Sequence, residues 1–127
     1  MTDSSNITLT IAFNDPALDK DEREAQAQNL LAQMRDLDEI ERVDRVLDPN
    51  PPVVNKTAGA ILFGLLTAEV SVANFKKLGA FLSDRLGNKP IKLKVKAPDG
   101  REMELEASSQ QEFDYAYQKA QDFLKGN

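Results

Sequence analysis

Histidine, cysteine and tryptophan are all absent from this sequence of 127 residues. Without cysteine there is no disulfide framework. Without histidine and cysteine there is no Ser-His or Cys-His nucleophile, and no imidazole that titrates near neutral pH. The usual zinc ligands are also missing, apart from carboxylates. These absences predict a protein that is not an enzyme, and we expect no metal and no other cofactor.

The balance of charged and apolar residues bounds the class of protein. A formal charge of -5 disfavours a general affinity for nucleic acid or for an anionic membrane surface. The 41% hydrophobic residues are enough to form one core in a chain of this length. We expect a flexible tail over residues 1–6 and a single domain over 7–125. Because the first residues contain no basic segment followed by an apolar run, the expected location is the cytoplasm.

The first third of the chain predicts a strand, a helix and a second strand. Apolar and polar residues alternate over 7–13, which is typical of a half-buried strand. Asp19 and Glu22 have the spacing of a capping box, and the apolar face that follows predicts a helix over 20–37. The segment 39–48 fits either a helical stripe or a strand. The prolines that follow it favour a short strand.

The middle of the chain combines a proline-rich segment with a strongly apolar one. Residues 48–56 hold three prolines and no periodicity, which predicts an irregular loop. Residues 57–68 are apolar on every side, which predicts a helix covered on most of its circumference. Gly59 and Gly64 would let another backbone approach this helix closely. Ser71 has the position of an N-cap for the next helix.

A β-hairpin over residues 91–107 is the clearest local signal. Apolar residues alternate with lysines before Pro98-Asp99-Gly100, and with glutamates after it. A three-residue loop with a left-handed Gly100 sets Val95 opposite Met103. A shift of one residue would mix the two faces, so burial and turn chemistry select the same register. The resulting charged pairs are Lys92 with Glu106, Lys94 with Glu104 and Lys96 with Glu102.

A last helix completes the predicted fold. Ser109 and Glu112 repeat the capping-box spacing, and an apolar face follows them to Leu124. Tyr115 and Phe123 lie beside that face as either core margin or contact residues, and we favour core margin. The predicted order β-α-β-α-α-β-β-α indicates an α+β fold, a single-domain two-layer sandwich. We expect about four strands in a mixed or antiparallel sheet, with helices mainly on one face.

Four carboxylates between the first helix and the second strand form a candidate cation site. Their spacing does not match a calcium-binding loop, and no apolar pocket converges on them in the sequence. A solvated cluster at the helix end is therefore the favoured interpretation. The four residues are Asp36, Asp38, Glu39 and Glu41.

Several segments together resemble a known protein family. They are Lys-Thr-Ala-Gly-Ala-Ile-Leu at 56–62, the amphipathic helix behind it, the basic-then-acidic hairpin, and Ser-Ser-Gln-Gln-Glu at 108–112. With these segments the chain resembles the effector-associated constant component family over residues 7–125. The resemblance implies a small non-enzymatic protein that accompanies caspase-like or trypsin-like peptidases, or other effectors, in bacterial conflict or signalling systems. It implies no catalytic residues.

The favoured function is therefore a non-catalytic protein-interaction or adaptor module. We expect docking on an exposed sheet face or an unpaired strand edge, with an effector peptidase or similar protein as partner and neither nucleic acid nor membrane. One alternative is a small-molecule-sensing or weakly catalytic domain with its site beside 48–56. Another is a self-associating structural subunit that uses the helix 57–68. The predicted surface residues are Thr8, Thr10, Lys92, Lys94, Lys96, Glu102, Glu104 and Glu106.

Overall fold

The computed structural model describes residues 6–47 and 61–125, and in these ranges the chain forms five strands and three helices. The strands make one antiparallel sheet in the order β2-β3-β1-β4-β5. The α+β class is confirmed, with five strands where about four were expected. The elements are β1 (Asn6–Phe13), α1 (Lys20–Arg35), β2 (Ile40–Leu47), β3 (Ile61–Ser71), α2 (Val72–Leu86), β4 (Ile91–Lys96), β5 (Glu102–Ala107) and α3 (Gln110–Leu124).

The core lies between one face of the sheet and the three helices. Alternate residues of β1, from Ile7 to Phe13, are buried against the helices, as the period of two predicts. The stripe on α1 from Ala27 to Met34 is buried beside them. The helices cover this face, and none of the elements in 6–47 or 61–125 lies over the opposite face of the sheet, which we call the open face.

The predicted helix 57–68 is wrong for every residue of it that the structure describes, because 61–68 belong to β3. The observed order is therefore β-α-β-β-α-β-β-α. From Leu65 to Val70 the side chains alternate between the open face and the core. Since β3 lies between β2 and β1, both of its backbone edges are paired with other strands. Gly59 and the predicted loop 48–56 fall outside the described residues.

Gly64 lets β3 bulge toward its neighbours. Its φ of +79° is a conformation that side-chain-bearing residues rarely adopt, and a Cβ there would lie 3.3 Å from the carbonyl oxygen of Phe13. The ladder with β2 shows the same irregularity, because Arg45 pairs with Leu66 while Leu47 pairs with Ile61. The expected close approach of a backbone at Gly64 therefore holds, although in a strand.

The helix caps follow the sequence signals closely. Asp19 and Glu22 form both halves of a capping box on α1. Ser71 accepts a hydrogen bond from the Asn74 N–H and begins α2. Ser109 caps α3 through the Glu112 N–H, but the Glu112 carboxylate accepts from Ser108 rather than from the cap residue itself.

The hairpin of β4 and β5 has the predicted register throughout. Val95 pairs with Met103, and all three lysines face the expected glutamates. Gly100 has a φ of +96°, and its N–H donates to the Ala97 carbonyl at 2.9 Å. Residues 1–5 of the predicted tail are outside the described ranges, while Asn6 is already part of β1. None of the helices in the described ranges is long and apolar enough to cross a membrane.

Candidate interaction surface

All eight predicted surface residues lie on the open face. Directly paired residues of antiparallel strands share a face, so the register places Thr8 and Thr10 of β1 beside the lysines of β4, and those beside the glutamates of β5. The result is a column of threonines, a column of positive charge and a column of negative charge. Charges of opposite sign thus lie side by side near the β5 edge of the sheet.

The charged columns interact with each other only at the surface. The Lys94 Nζ lies 3.4 Å from Glu102 Oε1, and the Lys92 Nζ lies 4.0 Å from Glu106 Oε2. The closest contact of Lys94 is therefore diagonal, to Glu102, rather than to its direct pair Glu104. Exposed pairs of this kind contribute little to stability. Their charges remain open to solvent and to a partner.

The other half of the open face, which β2 and β3 supply, was not predicted from the sequence. Thr67 and Glu69 of β3 continue the rows of Thr10 and Thr8, because they pair directly with them. The period-two alternation from Leu65 to Val70 would have revealed them, had the segment been assigned to a strand. The two complete rows, from β2 to β5, are Arg42-Glu69-Thr8-Lys96-Glu102 and Asp44-Thr67-Thr10-Lys94-Glu104.

A shallow groove crosses the β2 side of this face. Its volume is about 700 Å³, and Arg35 of α1 joins the sheet residues around it. The Arg42 Nε donates to Asp44 Oδ2 at 2.8 Å, and this hydrogen bond, with the charges of Asp44 and Glu69, raises the pKa of Arg42. Cations and carboxylates therefore alternate around the groove. The lining residues are Thr8, Arg35, Arg42, Asp44, Arg45, Thr67 and Glu69.

Among the carboxylates, Glu24 of α1 has the most strongly shifted pKa, and its contacts give it a structural role. Glu24 is 8% exposed and accepts hydrogen bonds from the Arg45 guanidinium and from the Gly64 N–H, the latter at 2.9 Å. The Arg45 hydrogen bond is the main cause that lowers the pKa of Glu24 to about 2. Arg45 also donates to the Leu65 carbonyl at 3.1 Å. The pair thus joins α1 to β2 and to the bulge of β3.

Tyr117 of α3 is the other strongly perturbed group, and it too serves packing. Its ring stacks on Phe75 with centroids 4.4 Å apart, and its hydroxyl donates to the Phe75 carbonyl at 2.6 Å. Burial raises the pKa of this hydroxyl. A side chain held in this way fixes α3 against α2 and has no proton to exchange near neutral pH.

Four aromatic side chains on the helical side are wholly or partly exposed, and one of them is Phe81, whose ring centroid lies 4.8 Å from the Arg85 guanidinium. Tyr115 is 66% exposed, so its assignment to the core margin is wrong, and the Lys119 Nζ lies 5.3 Å from its ring centroid. Phe123 is half-buried beneath the guanidinium of Arg101, 4.7 Å away. Phe63 is 41% exposed beside Lys20. Because these rings are scattered, they do not make one apolar patch.

The acidic cluster after α1 is spread along the surface. Asp36, Asp38 and Glu41 are exposed, and Glu39 is half-buried. Over residues 6–47 and 61–125, no group of three or more acidic residues is placed to hold a metal ion.

No protein-family model matches this sequence, and it matches neither a curated protein nor a solved structure.

Proposed function

We propose that this protein is a non-catalytic interaction module that binds a partner protein through the open face. The proposal rests on one observation: three helices cover one side of a five-stranded sheet, and ordered columns of charge lie on the other. The partner class comes from the family resemblance, which implies an effector enzyme such as a caspase-like or trypsin-like peptidase. The setting we propose is a bacterial conflict or signalling system, in the cytoplasm.

The chemistry of the open face supports recognition of a protein. Threonine hydroxyls, ammonium groups and carboxylates lie in fixed rows, so a partner with the inverse order of charges would dock in one orientation. Rows of mixed sign do not favour the uniformly negative backbone of a nucleic acid. We therefore expect a protein surface or an extended peptide with alternating acidic and basic residues.

The titratable groups support a role without catalysis. Glu24, whose pKa is about 2, is ionised and bound to Arg45, so it has no proton to donate near neutral pH. The Tyr117 hydroxyl is buried and held by the Phe75 carbonyl. The strongly perturbed groups of the described residues are thus engaged in packing and in hydrogen bonds within the fold.

A charge-swapped variant tests the proposal. Lys94→Glu combined with Glu104→Lys exchanges two directly paired residues, so the net charge and the pair are kept while the order of charges is inverted. Affinity purification of the wild-type protein from its native cells should recover a peptidase-like or signalling protein at stoichiometric yield. The swapped variant should recover at least tenfold less of that same partner.

A matched control separates the open face from charge in general. Lys119→Glu with Asp122→Lys makes the same exchange on exposed residues of α3, on the opposite side of the molecule, and should leave the yield unchanged. Equal yields from the wild-type and open-face variants would contradict docking on this face. Failure of the wild-type protein to recover any stoichiometric partner would contradict the adaptor role.

A second candidate function, small-molecule sensing, is favoured by the groove beside β2. Its volume is within the range of ligand sites, although its lining is charged rather than apolar. Arg35, Arg42 and two threonines offer donors to an anionic metabolite there, beside the carboxylates of Asp44 and Glu69. In a thermal-shift screen, a saturable rise in melting temperature that Arg42→Gln abolishes would favour sensing over adaptor function.

A further inference from the structure

The strand β2 forms one edge of the sheet, and its sequence suits pairing with itself. It pairs with β3 on one side, and no residue in 6–47 or 61–125 pairs with its other side. An edge strand presents backbone N–H and C=O groups that another strand can bind. Ile40–Leu47 contains no proline, so the alternate N–H groups that point away from β3 can donate to such a strand.

The order of residues in β2 is self-complementary around Val43. If two copies of β2 pair antiparallel with Val43 opposite Val43, Arg42 of each copy lies opposite Asp44 of the other. By sequence order Glu41 would follow opposite Arg45 and Ile40 opposite Val46, but the ladder of β2 with β3 is irregular between Ile40 and Arg42. The match is therefore defined by the central pairs, Val43 with Val43 and Arg42 with Asp44, which are apolar with apolar and basic with acidic. Opposed charges of unlike sign stabilise a strand pair, and like charges destabilise it.

Neighbouring registers lose this match. Centring the pair on Arg42 places Val43 opposite Glu41, and centring it on Asp44 places Val43 opposite Arg45. Each shift sets an apolar side chain against a charged one. Since register follows side-chain compatibility across the pair, the Val43-centred arrangement is the one that β2 specifies.

The charged side chains that would meet between two copies of β2 are exposed on one face of the sheet. Arg42 and Asp44 lie on the open face, with 68% and 49% of their side chains exposed, and they already contact each other within one chain. Two copies would bring four alternating charges together on that face. Arg45 is committed to Glu24, so the two Arg42–Asp44 pairs, rather than Glu41 with Arg45, carry the complementarity.

The other edge of the sheet has the opposite character. In β5, glutamates occupy every second position at 102, 104 and 106. Antiparallel pairing of two β5 strands centred on Glu104 would set Glu102 against Glu106 and Glu104 against itself. Charged residues on an edge discourage such pairing. The two edges therefore differ, and only β2 has a sequence that accepts its own copy.

We propose that β2 is the interface between two copies of this chain, which join their sheets into one antiparallel sheet of ten strands. A two-fold axis perpendicular to the sheet at Val43 relates the copies. All six helices then lie on one side and both open faces on the other. The dimer would present the docking surface twice on one side, which favours binding to a partner that is itself paired.

Single charge reversals and their mixture test this interface. We expect the wild-type protein to sediment at twice the 14.1 kDa mass of the chain. Asp44→Arg leaves only arginines at the two central positions, and Arg42→Asp leaves only aspartates, so each variant alone should sediment as a monomer. When the two variants are mixed, arginine again meets aspartate in both pairs. The mixture should therefore form a heterodimer, with at least tenfold tighter association than either variant alone.

Two controls make each outcome decisive. Glu104→Arg reverses a charge on the β5 edge and should remain a dimer. Circular dichroism checks that each variant is folded, because Arg42→Asp faces Glu69 within its own sheet. A monomeric wild-type protein up to about 1 mM, where weak association is detectable, would overturn the proposal. So would dimers of both single variants, a mixture that stays monomeric, or dissociation by Glu104→Arg.

Discussion

At the scale of single residues, Glu24 shows how a structural role can be concealed in a sequence. It follows Asp21 and Glu22, whose negative charges in the first turn of α1 favour the helix dipole, so it resembles one more residue of an acidic segment. Its spacing from Ala27, Leu31 and Met34 nevertheless places it on the buried stripe. That spacing was the available signal. Its partner Arg45 could not be inferred, because the contact depends on how α1 lies over β2.

Replacement of Glu24 by glutamine should be strongly destabilising. Glutamine keeps the shape and still offers an acceptor to the Gly64 N–H, but it leaves the Arg45 guanidinium without a counter-charge among largely buried surroundings. Breaking a buried pair in this way costs about 3 kcal/mol. Urea unfolding measures the loss, and Glu104→Gln on the exposed ladder should change stability by less than about 0.5 kcal/mol. Similar effects of the two variants would show that the pair is not stabilising.

The same carboxylate should make stability depend on pH in the acidic range. The pKa of Glu24 falls from 4.5 to about 2 on folding, so the unfolded chain binds its proton more readily. The stabilisation is present above pH 4.5 and is lost as the pH falls toward 2, to a total of about 3 kcal/mol. Urea unfolding between pH 5 and pH 2 should show this decline. In Glu24→Gln the decline should be smaller by that amount, and parallel curves would contradict the assignment.

At the scale of elements, secondary structure could be predicted where its signals lie close together in the sequence. It could not be predicted where the structure depends on strands that are distant in the sequence. The hairpin could be predicted in full because its turn, its alternation and its charges all lie within residues 91–107. The segment 61–68 could not, because Gly64 interrupts the alternation and rotates β3 by a bulge. A run that is apolar on both sides of such a bulge has the composition of a buried helix. Only its strand partners, β2 and β1, resolve the ambiguity.

The packing of α2 on α3 depends on the absence of a side chain at Gly79. A Cβ at this position would lie 2.8 Å from Cε2 of Tyr117, whose ring is fixed by Phe75 and Phe113. Gly79→Ala should therefore destabilise the protein by about 1–3 kcal/mol, although alanine favours a helix by about 1 kcal/mol over glycine. Thermal unfolding measures the effect. In a Tyr117→Leu background the same change should become neutral or stabilising, and an equal loss in both backgrounds would contradict the clash.

At the scale of the whole molecule, only the part of the candidate surface on β1, β4 and β5 could be predicted from the sequence. Thr8, Thr10 and the hairpin ladders were identified because β1, β4 and β5 were all recognised as strands with a polar face. Thr67 and Glu69 were missed with β3. The order of strands is set by contacts far apart in sequence, so the rows that run from β2 to β5 could not be derived from local patterns. The symmetric order of charges in β2 is visible in the sequence. It predicts pairing of two copies only once β2 is known to be an edge strand.

Hydrogen exchange should rank the five strands by their position in the sheet. The amides of β1 should exchange most slowly, because β3 and β4 flank it and Ile7, Leu9 and Ile11 are fully buried. Alternate amides of the β5 edge, which point away from β4, should exchange quickly at every protein concentration. If two copies pair through β2, its outward amides should instead be protected at high concentration. That protection should disappear on dilution and in Asp44→Arg, while β5 is unchanged. If the amides of the two edges exchange equally at every protein concentration, pairing of two copies through β2 is contradicted. The open face is then the surface on which association should be tested.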